Sequence, residues 1–352
     1  MRIRFLTSTP LDIKRGSGTY VGIHVLARAL EAKGHAVSYE TPRVVLPVYT
    51  AQRLLFNRQL RRDDAFDVTV GFDMDGYRIA AGCDGHVASL KGVIADEVRF
   101  ERGFTRATMS FQARCERLHV HRAARVLCTS SYSAERAREL YRLPSLPAIV
   151  PELIDLAEWR RLLAGRAPES SAFTVLYVGR FYRRKRVDVL LRAVAMLRNR
   201  LPGLQARIVG NGPCDAAWRA LARDLRLDGA VTWLGDIPRS QLVDEYRRAT
   251  VFCLPSVQEG FGIVLLEAMA AGKPIVAARA AAIPEVAPHA TMFEPDRPEA
   301  LAAALESMYR SPEARAAQSR TGAQWVAQFD AARVAGQFLA AAAASRATAV
   351  SA

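Results

Sequence analysis

The chain has 352 residues, enough for two domains of ordinary size, and its 50% hydrophobic and 24% charged residues are those of a soluble globular protein. The formal charge of +14 is carried nearly all by arginine and divides evenly, with 23 Lys+Arg against 16 Asp+Glu in residues 1–152 and 26 against 19 in residues 153–352. That rules out a basic tail and favours anionic partners, whether nucleotides, acidic lipid surfaces or nucleic acid, the alternative being that arginine-rich usage merely follows base composition. Cys83, Cys115, Cys128, Cys214 and Cys253 are scattered and odd in number, which argues for a reducing compartment and against a disulfide framework or a zinc site. The start, MRIRFLTSTPLDIKRG, lacks the apolar core of a signal peptide, and no run approaches the ~18 apolar residues of a spanning helix. A cytoplasmic protein, or one peripheral at the inner membrane face, is expected.

The N-terminal half reads as strands at Ile3–Ser8, Ala36–Tyr39, Asp67–Gly71, Val87–Leu90, Arg125–Thr129 and Ala148–Pro151. Long helices are predicted at Tyr20–Lys33, Thr105–Ala123 and Ser133–Leu143. Gly16-Ser17-Gly18, with Gly22, follows the first strand in rough imitation of a dinucleotide fingerprint. No acid about twenty residues further on sits in a clear ribose-binding position, so no nicotinamide site is read there. Arg53–Arg62, RLLFNRQLRR, has four arginines and no acid among Leu54, Leu55, Phe56 and Leu60. Such a stretch fits an anionic membrane or an anionic acceptor, or is an ordinary surface helix. Lys91 follows the apolar strand Val87–Leu90 and precedes Gly92, so it is expected at the strand's mouth. Its ammonium suits a phosphate or an acidic acceptor there, with Asp96 and Glu97 as rival partners in a plain salt bridge. The six histidines show no metal spacing, and His119 and His121 would point to different faces of a helix.

A hinge is expected at Val150–Trp159, which divides the chain into residues 1–152 and 153–321. The second part alternates with great regularity. Strands are predicted at Phe173–Gly179, Ala206–Gly210, Val231–Leu234, Val251–Leu254, Pro274–Ala278 and Thr291–Phe293. Helices separate them, at Val187–Leu201, Asp215–Leu225, Gln241–Arg248 and Pro298–Tyr309. Strands alternating with helices make a parallel, doubly wound sheet that binds ligands at its strands' carboxyl ends. In residues 322–352, Ala323–Leu339 reads as an amphipathic helix packing back on the first domain, with a frayed Ala-rich end from Ala340.

Three segments carry chemistry. In YVGRFYRRKRVDVLL, Arg180 and Lys185 follow the first strand of the second domain, where two cations can neutralise charge developing on a departing diphosphate. A solvated basic turn is the alternative. In IVGNGP, the strand runs into Gly210-Asn211-Gly212, a turn where backbone pivots or meets a ligand. In SVQEGFGIVLLEAMAAGKP, Glu259 and Glu267 flank Gly260-Phe261-Gly262 and the start of an apolar helix. The free N–H groups and dipole of that helix favour an anion, and the two acids can bind hydroxyls on either side of it. Two hydroxyl-seeking acids around an anion cradle suggest a sugar nucleotide.

Together, GSGTYVGIHVLARALEAKGH, VGRFYRRK, IVGNGP, LPSVQEGFGIVLLEAMAAGKPIVA and IPEV resemble the glycosyltransferase family 4 group, over roughly residues 1–340. The resemblance implies the GT-B fold, an α/β architecture of two doubly wound Rossmann-like domains facing across a cleft, the second holding a nucleoside-diphosphate sugar. It implies that Arg180 and Lys185 grip the diphosphate, that Glu259 contacts donor-sugar hydroxyls, and that the backbone of Gly260, Phe261 and Gly262 meets sugar and phosphate. Glu267 would hold the ribose diol, and Gly18 would lie close to the phosphate and acceptor. The implied activity is retaining sugar transfer to a lipid-linked or otherwise anionic acceptor, by front-face attack, with no metal and no cofactor beyond the donor. Lys91-Gly92 stands where many relatives carry His-Gly, and Glu152-Leu153 where the hinge strand usually carries Asn-Gly. An epimerase or hydrolase acting on sugar nucleotides is the alternative within the fold. A noncatalytic nucleic-acid-binding protein would need a clustered basic face with stacking aromatics, and aromatics make up only 8%.

Overall fold

A computed structural model describes residues 1–9, 18–165 and 172–343, so Gly16 and Ser17 lie outside the described residues. It divides into two units, Met1–Leu153 with Ala331–Ala352, and Ile154–Asp330. The first unit begins β1 (Arg2–Leu6), α1 (Gly18–Glu31), β2 (Ala36–Glu40), α2 (Tyr49–Gln59), β3 (Val68–Phe72) and β4 (His86–Leu90). It continues with α3 (Ile94–Glu97), α4 (Gly103–Arg122), β5 (Arg125–Cys128), α5 (Ser131–Tyr141) and β6 (Ala148–Ile149). Its six strands are all parallel, in the order β2-β1-β3-β4-β5-β6. Central strands of a parallel sheet are covered on both faces, which explains why VTVGF and HVASL are buried along their whole length instead of alternating.

The second unit runs α6 (Leu156–Leu163), β7 (Thr174–Val178), α7 (Val187–Leu197), β8 (Gln205–Val209), α8 (Asp215–Asp224), β9 (Val231–Gly235), α9 (Arg239–Arg248) and β10 (Val251–Leu254). After these come α10 (Ile263–Ala270), β11 (Ile275–Ala278), α11 (Ile283–Val286), β12 (Thr291–Phe293), α12 (Pro298–Arg310) and α13 (Pro312–Trp325). Its strand order, β12-β11-β10-β7-β8-β9, is parallel throughout and is that of a doubly wound nucleotide-binding sheet. Asp155 caps α6 by accepting from Glu158 N, and Ser311 caps α13, with Pro312 at its first position.

The single helix expected at Ala323–Leu339 is two helices. α13 ends at Trp325, whose indole donates to Val286 O at 2.9 Å, and a 3-10 turn covers Val326–Phe329. A separate α14 (Ala331–Ala343) then buries Val334, Ala335 and Phe338 in one cluster with Ile23, Leu26 and Leu30 of α1 and with Ile3 and Phe5 of β1. The break is needed because the two halves bury their apolar faces in different units. The helix continues through Ala340–Ala343, and the rest of the Ala-rich end lies outside the described residues.

Candidate functional site

Open parallel sheets bind ligands beyond the carboxyl ends of neighbouring strands whose chains leave toward opposite edges. In the second unit those strands are β7 and β10, which pair directly, Val251 beside Val175. Arg180 and Lys185 follow the first, and Glu259 to Gly262 follow the second. The loop after β7 is held by Phe181, fully buried against Trp218 and Trp233, and by Phe181 N donating to Asn211 O at 2.8 Å. That anchor leaves Arg180 part-exposed, with its Nη1 4.0 Å from Asp236 Oδ2. A short 3-10 turn, Arg183–Lys185, then brings Lys185 back, and Val257 N donates to Arg184 O at 2.9 Å, tying the turn to the β10 loop.

The result is that Lys185 Nζ lies 2.7 Å from both Oε1 and Oε2 of Glu259. Neither group is solvated enough to be a loose surface ion: the side chains are 16% and 8% exposed. Gly262, at φ +91°, turns the chain into α10, a conformation that favours glycine. The side chain of Phe261 is buried edge-on to Phe329, so only its backbone is left for a ligand. Gly210 has a local use: a Cβ there would overlap the carbonyl of Gly179, so this glycine lets the β8 loop pass the end of β7.

Glu267, in the second turn of α10, is buried and accepts from Tyr246 Oη at 2.9 Å through Oε2. Burial pushes its carboxyl up to about 7, against the opposing effects of that hydrogen bond and of Arg239. Asp236 and Tyr246 escaped sequence reading. Both lie in the αβ repeat between β8 and β10, where nothing local distinguishes them from other surface acids and core aromatics.

In the first unit Gly18 is the first residue of α1. Lys91 follows β4, its N–H donating to Asp73 Oδ1 at 2.9 Å and its ammonium lying 5.6 Å from the centre of the Phe72 ring. Its partner is neither Asp96 nor Glu97. Lys91 Nζ donates to Glu152 Oε2 at 3.1 Å, while Asp96 is held by Arg99, Arg136 and Tyr132. The expectation for Arg53–Arg62 is corrected at its first residue. Arg53 is buried, bonded to Gln112 at 3.0 Å and 3.5 Å from Asp75, and Phe56 and Leu60 turn inward with Leu6 and Ile79. Here α2 spends its apolar face on the core. His119 is buried with its Nε2 2.8 Å from that of His86. His121 is exposed at the helix surface, its Nε2 2.8 Å from Tyr141 O. Among the described residues no group of three His, Cys, Asp or Glu is placed to hold a metal ion, and no helix is long and apolar enough to cross a membrane.

Residues 164–325 match the family model of glycosyl transferases group 1. A D-inositol 3-phosphate glycosyltransferase of Corynebacterium kroppenstedtii is 34% identical over 168 residues, which is 45% of this chain and 37% of the relative. The chain thus spans well under half the length of this curated relative. Sucrose-phosphate synthase from Thermosynechococcus elongatus superposes with a TM-score of 0.78 at 20% identity, covering 97% of this chain and 98% of that one. HepE of Anabaena, in complex with UDP-glucose, superposes at 0.71 with 17% identity and covers 97% and 98%. The chain therefore has the GT-B fold, and the part of it that matches the glycosyl transferases group 1 family is residues 164–325.

Proposed function

We propose that the chain is a retaining glycosyltransferase that moves a sugar from a nucleoside diphosphate to a hydroxyl of a lipid-linked or otherwise anionic acceptor. The observation that carries this reading is the Lys185–Glu259 pair at the ends of β7 and β10. Without donor, each group neutralises the other. A donor arriving there offers both a better partner, diphosphate oxygens for the ammonium and sugar hydroxyls for the carboxylate. Arg180 adds a second cation at the same strand end, the N–H groups opening α10 add a third positive contribution, and Glu267 takes the ribose diol. In the reaction the bond from the sugar's anomeric carbon to the diphosphate oxygen breaks, its electron pair leaving with the phosphate. The acceptor oxygen bonds that carbon from the same face, and its proton passes to the departing phosphate oxygen. Charge develops on the diphosphate, where Lys185 and Arg180 stabilise it, so turnover is expected to persist in EDTA.

A thermal-shift screen of UDP-, GDP- and ADP-sugars tests the donor, starting from UDP-glucose because HepE is a structural neighbour. A ligand at about 100 times its Kd adds about 2.7 kcal/mol of stability. The donor that shifts melting is then incubated with candidate acceptors. Acceptor-dependent release of the nucleoside diphosphate supports transfer. Free sugar or an epimerised donor with no acceptor dependence overturns it in favour of a hydrolase or epimerase.

A further inference from the structure

Thirteen large hydrophobic side chains are exposed among the described residues, and eight of them lie on α4, on α2 or in the segment leading into α2. On α4 they are Phe104 (73% exposed), Phe111 and Leu118, spaced seven apart and therefore on one side of the helix. Before and at the start of α2 they are Val44, Val45 (70% exposed), Val48 and Tyr49. The two elements are adjacent: Gln112, next to Phe111, donates to Thr50 Oγ1 at 2.6 Å, and Thr50 follows Tyr49.

The charge on this face has one sign. α4 also exposes Arg114, roughly 60° round the helix from the apolar row, with Arg106 and Arg117 further round its exposed side, and its sole acid, Glu116, is buried. Residues 41–62 contain no acid, and Arg43 and Arg58 are exposed there. A surface helix facing only water has no reason to hold phenylalanines outward in register. A protein partner of matching shape would need to supply both an apolar surface and a field of negative charge. An anionic bilayer supplies both at once, headgroup phosphates for the arginines and the acyl boundary for the phenylalanines.

We infer that α4, with the segment 43–49, is the face by which the first unit docks on an anionic membrane surface. This is independent of the transfer reading, since it uses no residue of the candidate site. The helix lies in the interface, with Phe104, Phe111 and Leu118 below the headgroups, Arg114 level with them, and Arg106 and Arg117 reaching toward the phosphates along their apolar stems. The stretch Arg53–Arg62 is the flank of this face; its buried part holds α2 against α4.

Sedimentation of the full chain with phosphatidylcholine vesicles, with and without phosphatidylglycerol, tests it. Binding is expected only to the anionic vesicles and should weaken as salt rises. Arg106→Gln/Arg114→Gln/Arg117→Gln should lower the partition coefficient about a hundredfold. Phe104→Asp/Phe111→Asp should abolish binding, while Met196→Asp, at an exposed apolar site of the second unit, should not change it. All these sites are exposed, so folding is checked simply by circular dichroism. Phe111→Trp should show blue-shifted emission on anionic vesicles alone. Indifference to both vesicle types, or binding untouched by both surface variants, overturns the inference. A dimer in solution that Phe104→Asp/Phe111→Asp dissociates, with no vesicle binding, assigns the face to self-association instead.

Discussion

Lys91 and Glu152 form a buried ion pair of 3.1 Å, with side chains only 6% and 7% exposed, joining the end of β4 to the segment that follows β6. These are the two positions where the resemblance read from the sequence leads one to expect a histidine and an asparagine. The departures answer each other: a cation in place of the first calls for an anion in place of the second. Breaking a buried pair from one side leaves an uncompensated charge and costs about 3–5 kcal/mol, whereas replacing both members by neutral groups is close to neutral. Lys91→Met and Glu152→Gln should each lower the melting temperature sharply, and Lys91→Met/Glu152→Gln should recover most of it. Denaturant unfolding of all four proteins closes the cycle. Additive losses in the double variant would show that the pair is not coupled.

Gly22 supports the same pair. It lies inside α1, where alanine ordinarily stabilises a helix by about 1 kcal/mol over glycine. Here a Cβ would overlap Glu152 Oε2, which Lys91 holds in place. Gly22→Ala is therefore expected to destabilise the wild-type chain and to stabilise the Glu152→Ala chain. A stabilising Gly22→Ala in both backgrounds would mean that Glu152 moves aside freely.

With Glu267 in the proposed nucleotide site, nucleotide affinity should depend on pH. Its carboxyl is raised from 4.5 to about 7, so the folded chain keeps a proton that the unfolded chain has lost between those values. The stability it contributes is present below pH 4.5 and is lost as pH rises toward 7. Binding of a ribose diol needs the ionised form as acceptor, so UDP affinity should rise through pH 7. Tyr246→Phe removes the hydrogen bond that opposes the shift, and the midpoint should move further up. Glu267→Gln should flatten the profile. Calorimetric titration between pH 5.5 and 8.5 would decide it, where those limits are set at roughly 1.5 units around the midpoint. A flat wild-type profile would remove Glu267 from the nucleotide site.

The catalytic role proposed for Lys185 and its ion pair with Glu259 separate in a double variant. Lys185→Ala should lower turnover about a hundredfold to a thousandfold, as loss of a transition-state contact does. It should also lower the melting temperature, because Glu259 is left buried without its cation. Lys185→Ala/Glu259→Gln should regain stability while turnover stays low. Normal turnover in either folded variant would disprove the assignment.

The buried histidine pair has its own acid signature. His119 Nδ1 donates to Asp73 O, so across the 2.8 Å contact His86 Nε2 donates and His119 Nε2 accepts; His119 takes a second proton only by breaking that contact, and His86 only at a buried Nδ1 that has no hydrogen-bond partner. Burial lowers both from their ordinary value, and the neighbouring ring adds to this for His86. The unfolded chain binds protons below pH 6.5 that the folded chain refuses, so this contribution to stability falls as the solution is acidified. Nitrogen chemical shifts of the two imidazoles at pH 5.5, about one unit below the ordinary histidine value, should remain those of neutral rings. Imidazolium shifts there in the folded chain would contradict the pair.

Much of the second unit was legible because its instructions are local. Each strand is a short apolar run bounded by glycine or proline, and the glycines fall in the loops that follow the strands, so Lys185, Glu259 and Glu267 stand out as candidates, although their expected roles came from the family resemblance and not from spacing. The first unit was harder to read because its polar residues are used at long range. Arg53 looks like a surface arginine until Asp73, Asp75 and Gln112, distant in sequence, surround it. One long helix near the C-terminus was read where there are two, since alanine-rich sequence keeps helical periodicity whether or not the chain breaks at Asp330.

The sequence by itself determined the alternation of strand and helix, the doubly wound class and the residues at the carboxyl ends of β7 and β10, because period and glycine placement act within a few residues. Only the tertiary structure decided which charges meet. Lys91 had acids five and six residues away and took Glu152, sixty-one residues on, because β4 ends beside the segment after β6 and low exposure makes a single well-placed partner outweigh two nearer in sequence.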